Sequence, residues 1–310
     1  MNVYVGLTDW SWYDFLRDHD MREVNFWQPS GRSFRSLQEG ELFLFKLKAS
    51  QGGRIAGGGF FVTATTTSID WAWRAFGTEN GVNNLAQLSD AIWRYKSSGG
   101  RPDANVNITS IILTDVFYFD DADWFDISSI WSRYIQTGKT FRGDDAAHLV
   151  EQVQLRLSGT AAIIAPANLE GSVPAARQGF VVGMSKHRIG QGGFRTLVAD
   201  AYHRRCAITG ERTVPVLQAA HIKSFAADGP NAVNNGILLR SDLHALFDSG
   251  YVTIEDDLRV VVSPRLHDDF GNGKDYYPYH GRRLAVVPDQ SILRPAREYL
   301  DWHHENVFLG

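Results

Sequence analysis

Cysteine is nearly absent from this chain: Cys206 is the only one among 310 residues. A single thiol excludes an internal disulfide, which fits a reducing compartment. It also excludes a structural zinc site made of four cysteines, and Thr209 stands where the partner of a CxxC pair would be. The fold therefore cannot depend on disulfides or on a Cys₄ zinc.

Long hydrophobic runs are missing too, because the longest are far too short to span a bilayer. The opening residues, Met1 to Gly6, lack the basic and long apolar regions of a signal peptide. We therefore predict a cytoplasmic protein that does not contact membranes. A length of 310 residues with 44% hydrophobic content favours two domains with substantial cores.

The chain has no overall excess of positive charge, since its net charge is −4. The charge is unevenly distributed, however: residues 177 to 223 contain eight basic and two acidic side chains. A local basic excess is typical of a surface that binds phosphate. We predict phosphate contacts from Arg188, Arg195 and Lys223.

The most informative pattern lies in the last third of the chain. The segment Val214 to Ile222 is rich in Val, Leu and Ala and predicts a strand with His221 near its end. Asp228 to Asn231 predicts a loop, Ile237 to Leu239 a second short strand, and Ser241-Asp242 the start of a helix. The predicted order is strand, loop, strand and helix.

The side chains on this frame predict phosphodiester hydrolysis. His244 and Asp248 are four residues apart on the predicted helix, so both can meet one cation. His221 titrates near neutral pH and suits a general base that takes a proton from water. Asn235 is predicted to orient the imidazole or its loop. A divalent ion would stabilise the charge that develops on the phosphate; Mg²⁺ or Mn²⁺ fits, and His ligation also admits Ni²⁺, Co²⁺ or Zn²⁺.

These residues resemble the HNH, or ββα-metal, endonuclease family. The similarity covers the segments Gly190 to Arg195, Tyr202, Cys206, Ala220 to Ile222, Asn235-Gly236, Leu243-His244 and Phe247 to Gly250. It implies a general base at His221, the middle asparagine at Asn235, a metal ligand at His244 and a further ligand at Asp248. Asp248 is equally an ordinary turn residue at a helix end. Many relatives have an Asp or His ligand where this chain has Ala220.

The first part of the chain is rich in tryptophan. Eight of the nine tryptophans precede residue 140: Trp10, Trp12, Trp27, Trp71, Trp73, Trp93, Trp124 and Trp131. Strand-like runs at 2–7, 41–48, 58–65 and 108–118, with helical stretches at 10–19 and 85–95, predict a mixed α+β domain. Trp27, the glycine-rich run at 57–59, and Trp71 with Trp73 together resemble the EVE and YTH domains of the PUA-like superfamily.

That resemblance implies a β-barrel-type domain that holds a modified, flipped-out base between aromatic rings. We predict Trp27, Trp71 and Trp73 as walls of this cage, with Asp9 and Trp10 near the base edge. A place in the core is the alternative for each tryptophan. The predicted organisation is an EVE/PUA-like domain at 1–140, a helical linker at 141–185 and an HNH domain at 186–310.

Together the two resemblances imply a bacterial modification-dependent endonuclease, similar to EVE-HNH restriction enzymes. It would cut double-stranded DNA that contains 5-methylcytosine or 5-hydroxymethylcytosine. Two alternatives stay open: a nuclease whose front domain reads unmodified sequence or RNA, and a non-catalytic binding protein that has lost its metal because of Ala220. A homodimer is a further expectation if both strands are cut.

Overall fold

A computed structural model describes residues 1–96, 103–163 and 189–310. The chain forms two compact units, Met1–Arg188 and Ile189–Gly310. Both contain helices and strands, so the chain is α+β as predicted. Within the described ranges, no helix has both the length and the hydropathy to cross a membrane.

The first unit is built on one six-stranded sheet. Its described elements are β1 (Val3–Thr8), α1 (Trp10–Asp18), β2 (Val24–Gln28), β3 (Leu42–Leu47), β4 (Ile55–Ser68), α2 (Ile69–Phe76), α3 (Leu85–Trp93), β5 (Asn107–Tyr118), β6 (Gly138–Phe141) and α4 (Gly143–Ile163). The strand order is β2-β5-β4-β3-β1-β6. β1 and β3 run parallel, and all other neighbours run antiparallel.

The central strand β3 explains how the unit is layered. All six of its residues are buried, as expected for a strand covered on both faces. Phe43 and Phe45 pack on one face with residues of α1, and Leu42 and Leu44 pack on the other. The sheet therefore separates two apolar layers.

The second layer is closed by α4, whose residues fall in the predicted linker at 141–185. Ala146, Leu149 and Val153 of this helix are buried in the same cluster as Leu42 and Leu44. A helix with such an apolar face is stabilised by the sheet it covers. The first part of the predicted linker thus belongs to the first unit, and residues 164–185 lie outside the described residues.

The second unit places two short strands against helices. Its described elements are α5 (Gln191–Ala201), β7 (Leu217–His221), β8 (Gly236–Arg240), α6 (Ser241–Asp248), β9 (Val252–Ile254), β10 (Val260–Val262), α7 (Arg265–Phe270) and α8 (Arg297–Asn306). The predicted order of strand, loop, strand and helix is found. Pro215 lies in a 3₁₀ turn, Val214–Val216, so β7 begins later than predicted.

The hairpin of β7 and β8 packs closely on α5. His221 pairs with Gly236 in the antiparallel register. A Cβ at Gly236 would lie 2.4 Å from Val198 Cγ2 and 2.9 Å from Phe194 Cε2. Only glycine permits this approach, which brings the end of β7 over α5.

Candidate functional site

His221 lies at the end of β7 and is held on two sides. Its ring stacks on Phe194 of α5, with centroids 3.9 Å apart and planes 10° apart. His221 Nε2 lies 2.8 Å from Asn231 Oδ1. Burial lowers the pKa of His221 below its ordinary value, although the Asn231 hydrogen bond acts in the opposite direction. The ring therefore favours the neutral form that a general base requires.

Asn235 is fully buried and fastens the loop between β7 and β8. Lys223 N donates to its Oδ1 at 2.8 Å, and its Nδ2 donates to the carbonyls of Lys223 and Pro230, both at 3.0 Å. No hydrogen bond joins Asn235 to His221 among the described residues. The sequence predicts that Asn235 orients either the imidazole of His221 or its loop. The contacts of its side chain are with the loop.

His244 on α6 lies between a carboxylate and an amide. Its Nε2 is 3.1 Å from Asp248 Oδ2, and its Nδ1 is 2.7 Å from Gln218 Oε1. An amide oxygen only accepts, so Nδ1 donates to Gln218. Nε2 and Asp248 Oδ2 therefore lie side by side as a nitrogen and an oxygen that one cation could bind when Nε2 carries no proton.

His221, His244 and Asp248 line one cavity of about 350 Å³. Ala219 also lines it, whereas Ala220 is buried and pairs with Ile237. Among the residues that the structure describes in the two units, no group of three or more His, Cys, Asp or Glu side chains is arranged to hold a metal. The residues present fit an ion bound by His244 and Asp248, with other positions left to water and substrate.

The predicted phosphate-binding residues have different surroundings. Arg195 lines the cavity and hydrogen-bonds Gln191 Oε1 at 3.3 Å. Lys223 Nζ lies 5.9 Å from the centroid of the Trp302 ring, at the loop that Asn235 fastens. Arg188 lies outside the described residues.

Sequence reasoning missed three residues that hold the site: Asn231, Gln218 and His303. Asn231 belongs to the segment predicted as a loop, and an Asn in a Gly-Pro-Asn turn carries no signal beyond the turn itself. Gln218 shares β7 with His221 but contacts α6, which spacing alone does not predict. His303 lines the cavity from α8, 59 residues beyond His244 along the chain.

The first unit contains a larger cavity of about 800 Å³. Asp9, Trp27, Lys48 and Tyr95 line it. The rings of Trp27 and Tyr95 are 6.5 Å apart and tilted by 51°. Two of its aromatic walls, Trp27 and Tyr95, thus come from β2 and from the residues just after α3.

A polar group of three side chains lies beside these walls. Lys48 Nζ lies 3.3 Å from Asp9 Oδ1 and donates to Tyr95 Oη at 2.8 Å. Tyr95 Oη in turn donates to Asp9 Oδ2. Burial and the Asp9 hydrogen bond raise the pKa of Tyr95, so its hydroxyl remains a donor at neutral pH.

Trp27 and Asp9 both line this cavity, but Trp71, Trp73 and Trp10 are not among the residues that line it. Trp71 and Trp73 lie on α2, where side chains two residues apart point in different directions and cannot form facing walls. Trp71 is buried, and Trp73 packs on the cluster between α2 and α3. Trp10 packs against Tyr13 and Trp124.

Residues 206–255 match the HNH endonuclease family (HNH_2), and this segment carries His221, Asn235, His244 and Asp248. The match supports a nuclease with an HNH endonuclease domain. A search of the curated proteins found no match.

Two solved structures show distant similarity. A point mutant of the ASCH protein ZmASCH from Zymomonas mobilis is 11% identical, covers 48% of this chain and 96% of its own, and has a TM-score of 0.35. The modification-dependent TagI restriction endonuclease is 14% identical, covers 93% of this chain and 76% of its own, and has a TM-score of 0.28. Both TM-scores are too low to assign a fold.

Proposed function

We propose that this protein is a modification-dependent DNA endonuclease that cuts double-stranded DNA containing 5-methylcytosine or 5-hydroxymethylcytosine. The observation that carries the proposal concerns His221, His244 and Asp248. All three lie in the segment that matches HNH endonucleases, and they line one cavity. The first unit, taken as residues 1–140 with α4 added, would select the modified base. The second, from about residue 186, would cut the backbone.

In the nuclease reaction His221 is the general base. Its lowered pKa keeps the imidazole neutral at physiological pH, ready to accept a proton from the attacking water. Arg195, at the cavity wall, and Lys223, on the loop that Asn235 fastens, offer positive charge to the DNA backbone. Arg188 is proposed for the same role from its position in the sequence.

His244 and Asp248 would hold one divalent ion. Imidazole nitrogen with carboxylate oxygen is a donor set that accepts Mn²⁺, Co²⁺, Ni²⁺ or Zn²⁺, and Mg²⁺ through the carboxylate. When bound, the ion would supply Lewis-acid stabilisation of the scissile phosphate and of the leaving 3′ oxygen. Gln218 Oε1 accepts a hydrogen bond from Nδ1–H of His244 and so keeps Nε2 directed towards Asp248.

The modified base would enter the cavity between Trp27 and Tyr95. Base stacking on an aromatic ring contributes about 1–3 kcal/mol, which offsets the few kcal/mol that unstacking from the duplex costs. Asp9 and Lys48 provide an acceptor and a donor for the base edge. A methyl or hydroxymethyl group would add contact with the aromatic walls.

The nuclease half is tested by His221→Ala with a plasmid that contains 5-methylcytosine. Cleavage by the wild type is expected with Mg²⁺ or Mn²⁺ and not with EDTA, and the variant is expected to lose it while binding DNA normally. His304→Ala changes an exposed histidine on α8 and is the control. Cleavage by His221→Ala at the wild-type rate would refute the assignment of the base.

The reader half is tested by binding in EDTA, where no cutting occurs. Matched duplexes carry cytosine, 5-methylcytosine or 5-hydroxymethylcytosine at one position. Tighter binding of either modified duplex supports the reader. Equal affinity for all three favours a front domain that reads unmodified sequence, and tighter binding of an RNA of the same sequence favours an RNA reader.

A further inference from the structure

We infer that Asn231 is a positioning residue: its amide selects the tautomer of His221 and makes Nδ1 the nitrogen that takes the proton from water. The inference deepens the proposed function, because it rests on His221 being the general base. Asn231 lies in the loop between β7 and β8, four residues before Asn235. Asn235 fastens that loop, whereas Asn231 contacts the ring itself.

The orientation of the Asn231 amide is fixed from its other end. Its Nδ2 donates to the carbonyl oxygen of Ile189 at 2.9 Å. A backbone carbonyl only accepts, so the NH₂ group must face Ile189 and the oxygen must face His221. The oxygen cannot donate, so Nε2 of His221 must carry the hydrogen in the 2.8 Å contact.

A neutral imidazole carries one N–H, so the proton on Nε2 leaves Nδ1 as the basic nitrogen. His221 Nδ1 makes no hydrogen bond with any described residue, while the ring lines the nuclease cavity. Phe194 covers one face of the ring and limits its rotation. Asn231 and Phe194 together therefore leave a single nitrogen free to meet water.

The hydrogen bond between His221 and Asn231 also stabilises the protonated ring that forms when His221 takes a proton from water. After Nδ1 takes the proton, the ring is a cation, and its Nε2–H donates to Asn231 Oδ1 as a charge-assisted hydrogen bond. Such bonds are roughly twice as strong as neutral ones. An amide achieves this without adding negative charge near the scissile phosphate.

The direct test is the nitrogen NMR spectrum of the His221 ring in ¹⁵N-labelled, metal-free protein at a pH where the ring is neutral. The wild type is expected to show a protonated Nε2 and an unprotonated Nδ1. Asn231→Ala is expected to give a mixture of both tautomers. A proton on Nδ1 in the wild type would overturn the inference without need of any variant.

Cleavage kinetics provide the second readout. Asn231→Ala should lower kcat by about 10- to 100-fold with little change in KM, because the charge-assisted hydrogen bond to the protonated His221 ring is lost. Asn231→Asp retains an oxygen acceptor for Nε2–H but loses the donor to Ile189, so it should recover part of the loss. Equal rates for the Ala and Asp variants would contradict the tautomer role.

Asn234→Ala is the matched control. Asn234 is on the same loop, and its side-chain amide makes no hydrogen bond within the described residues. It should match the wild type in both readouts. If His221→Ala retains cleavage, the proposed role of His221 in the nuclease fails, whichever tautomer is present. If His221→Ala is inactive but Asn231→Ala matches the wild type, only the inference about Asn231 fails.

Discussion

Each of the three histidines at the nuclease cavity is paired with a neutral polar side chain. His221 meets Asn231, His244 meets Gln218, and His303 meets Thr253. A neutral partner fixes which ring nitrogen carries the proton but adds no charge. The charged side chains that line the cavity are then Arg195 and Asp248.

The lowered pKa of His221 predicts the acid limb of the pH–rate profile. Cleavage needs the neutral ring, so activity is present above the pKa of His221 and is lost as the pH falls through it. Because burial places this pKa below its ordinary value of about 6.5, the limb should be centred below that pH. The measurement is kcat/KM from pH 4.5 to 8 on modified DNA; a limb centred above 6.5 would show that another group controls the rate.

Trp27 is expected to determine discrimination between modified and unmodified DNA. Trp27→Ala removes one aromatic wall of the cavity and should lower the preference for modified duplexes by about 10-fold, the equivalent of roughly 1.4 kcal/mol of stacking. Trp73→Ala is the control, since Trp73 is also partly buried but packs on the core. The preference for modified over unmodified duplexes is measured by competition binding. Equal loss of this preference in both variants would show that it results from impaired folding.

The predicted site residues show what local sequence can reveal. His221, Asn235, His244 and Asp248 fall within 28 residues, so all four lie on one local unit, the hairpin and the helix that follows it. Gln218 and Asn231 could not be predicted: the partner of Gln218 depends on how the hairpin packs on α6, and Asn231 meets Ile189 only once the loop has closed on the residues before α5. Tyr95 and Lys48 meet Asp9 only once the first sheet has formed.

At the level of elements, α8 is joined to α6 through a buried histidine. His303 Nε2 donates to the carbonyl of Phe247 at 3.1 Å, and the hydroxyl of Thr253 donates to its Nδ1 at 2.8 Å. Its ring stacks on Phe247 at 3.8 Å. Phe247 directly precedes Asp248, so this contact holds the end of α6 that presents the carboxylate.

His303 should make the protein acid-sensitive. Burial lowers its pKa to about 4, whereas the unfolded chain binds this proton near pH 6.5. Between these values the unfolded state binds more protons, so the free energy of unfolding falls as the pH drops from about 6.5 to 4 and is unaffected by this group above that window. The total contribution is about 3 kcal/mol.

Urea denaturation at pH 7.5 and pH 4.5 measures this dependence. His303→Phe is expected to be less stable at pH 7.5 but to lose less on acidification than the wild type. His304→Phe, on the exposed side of α8, should retain the wild-type dependence. An unchanged pH dependence in His303→Phe would show that other groups cause the acid sensitivity.

The elements also show where pattern reading fails. The spacing Trp71-Ala72-Trp73 is compatible with alternation, yet the chain forms a helix there because Ser68 caps it by accepting from Trp71 N at 3.2 Å. The apolar positions Ile69, Ala72 and Phe76 follow helical spacing and bury one face. The cap and the spacing were both present in the sequence, whereas the edge strands β2 and β6 carry weaker signals.

At the scale of the whole molecule, strand order was beyond the reach of sequence reasoning. β2 pairs with β5 and β1 pairs with β6, across more than 80 and 130 residues respectively. Such pairings depend on the layers that cover the sheet, and α4 is one of them. The mixed α+β class was predicted correctly because it requires only that helices and strands be present.

The central claim is that one chain both selects modified cytosine and cuts DNA. It is tested most directly by cleavage of matched duplexes that contain cytosine, 5-methylcytosine or 5-hydroxymethylcytosine, each with EDTA, Mg²⁺ or Mn²⁺. The expected result is cutting only of modified duplexes and only with a divalent ion. Equal cutting of all three duplexes would contradict the modified-base reader, and selective binding without cutting under any metal would contradict the nuclease.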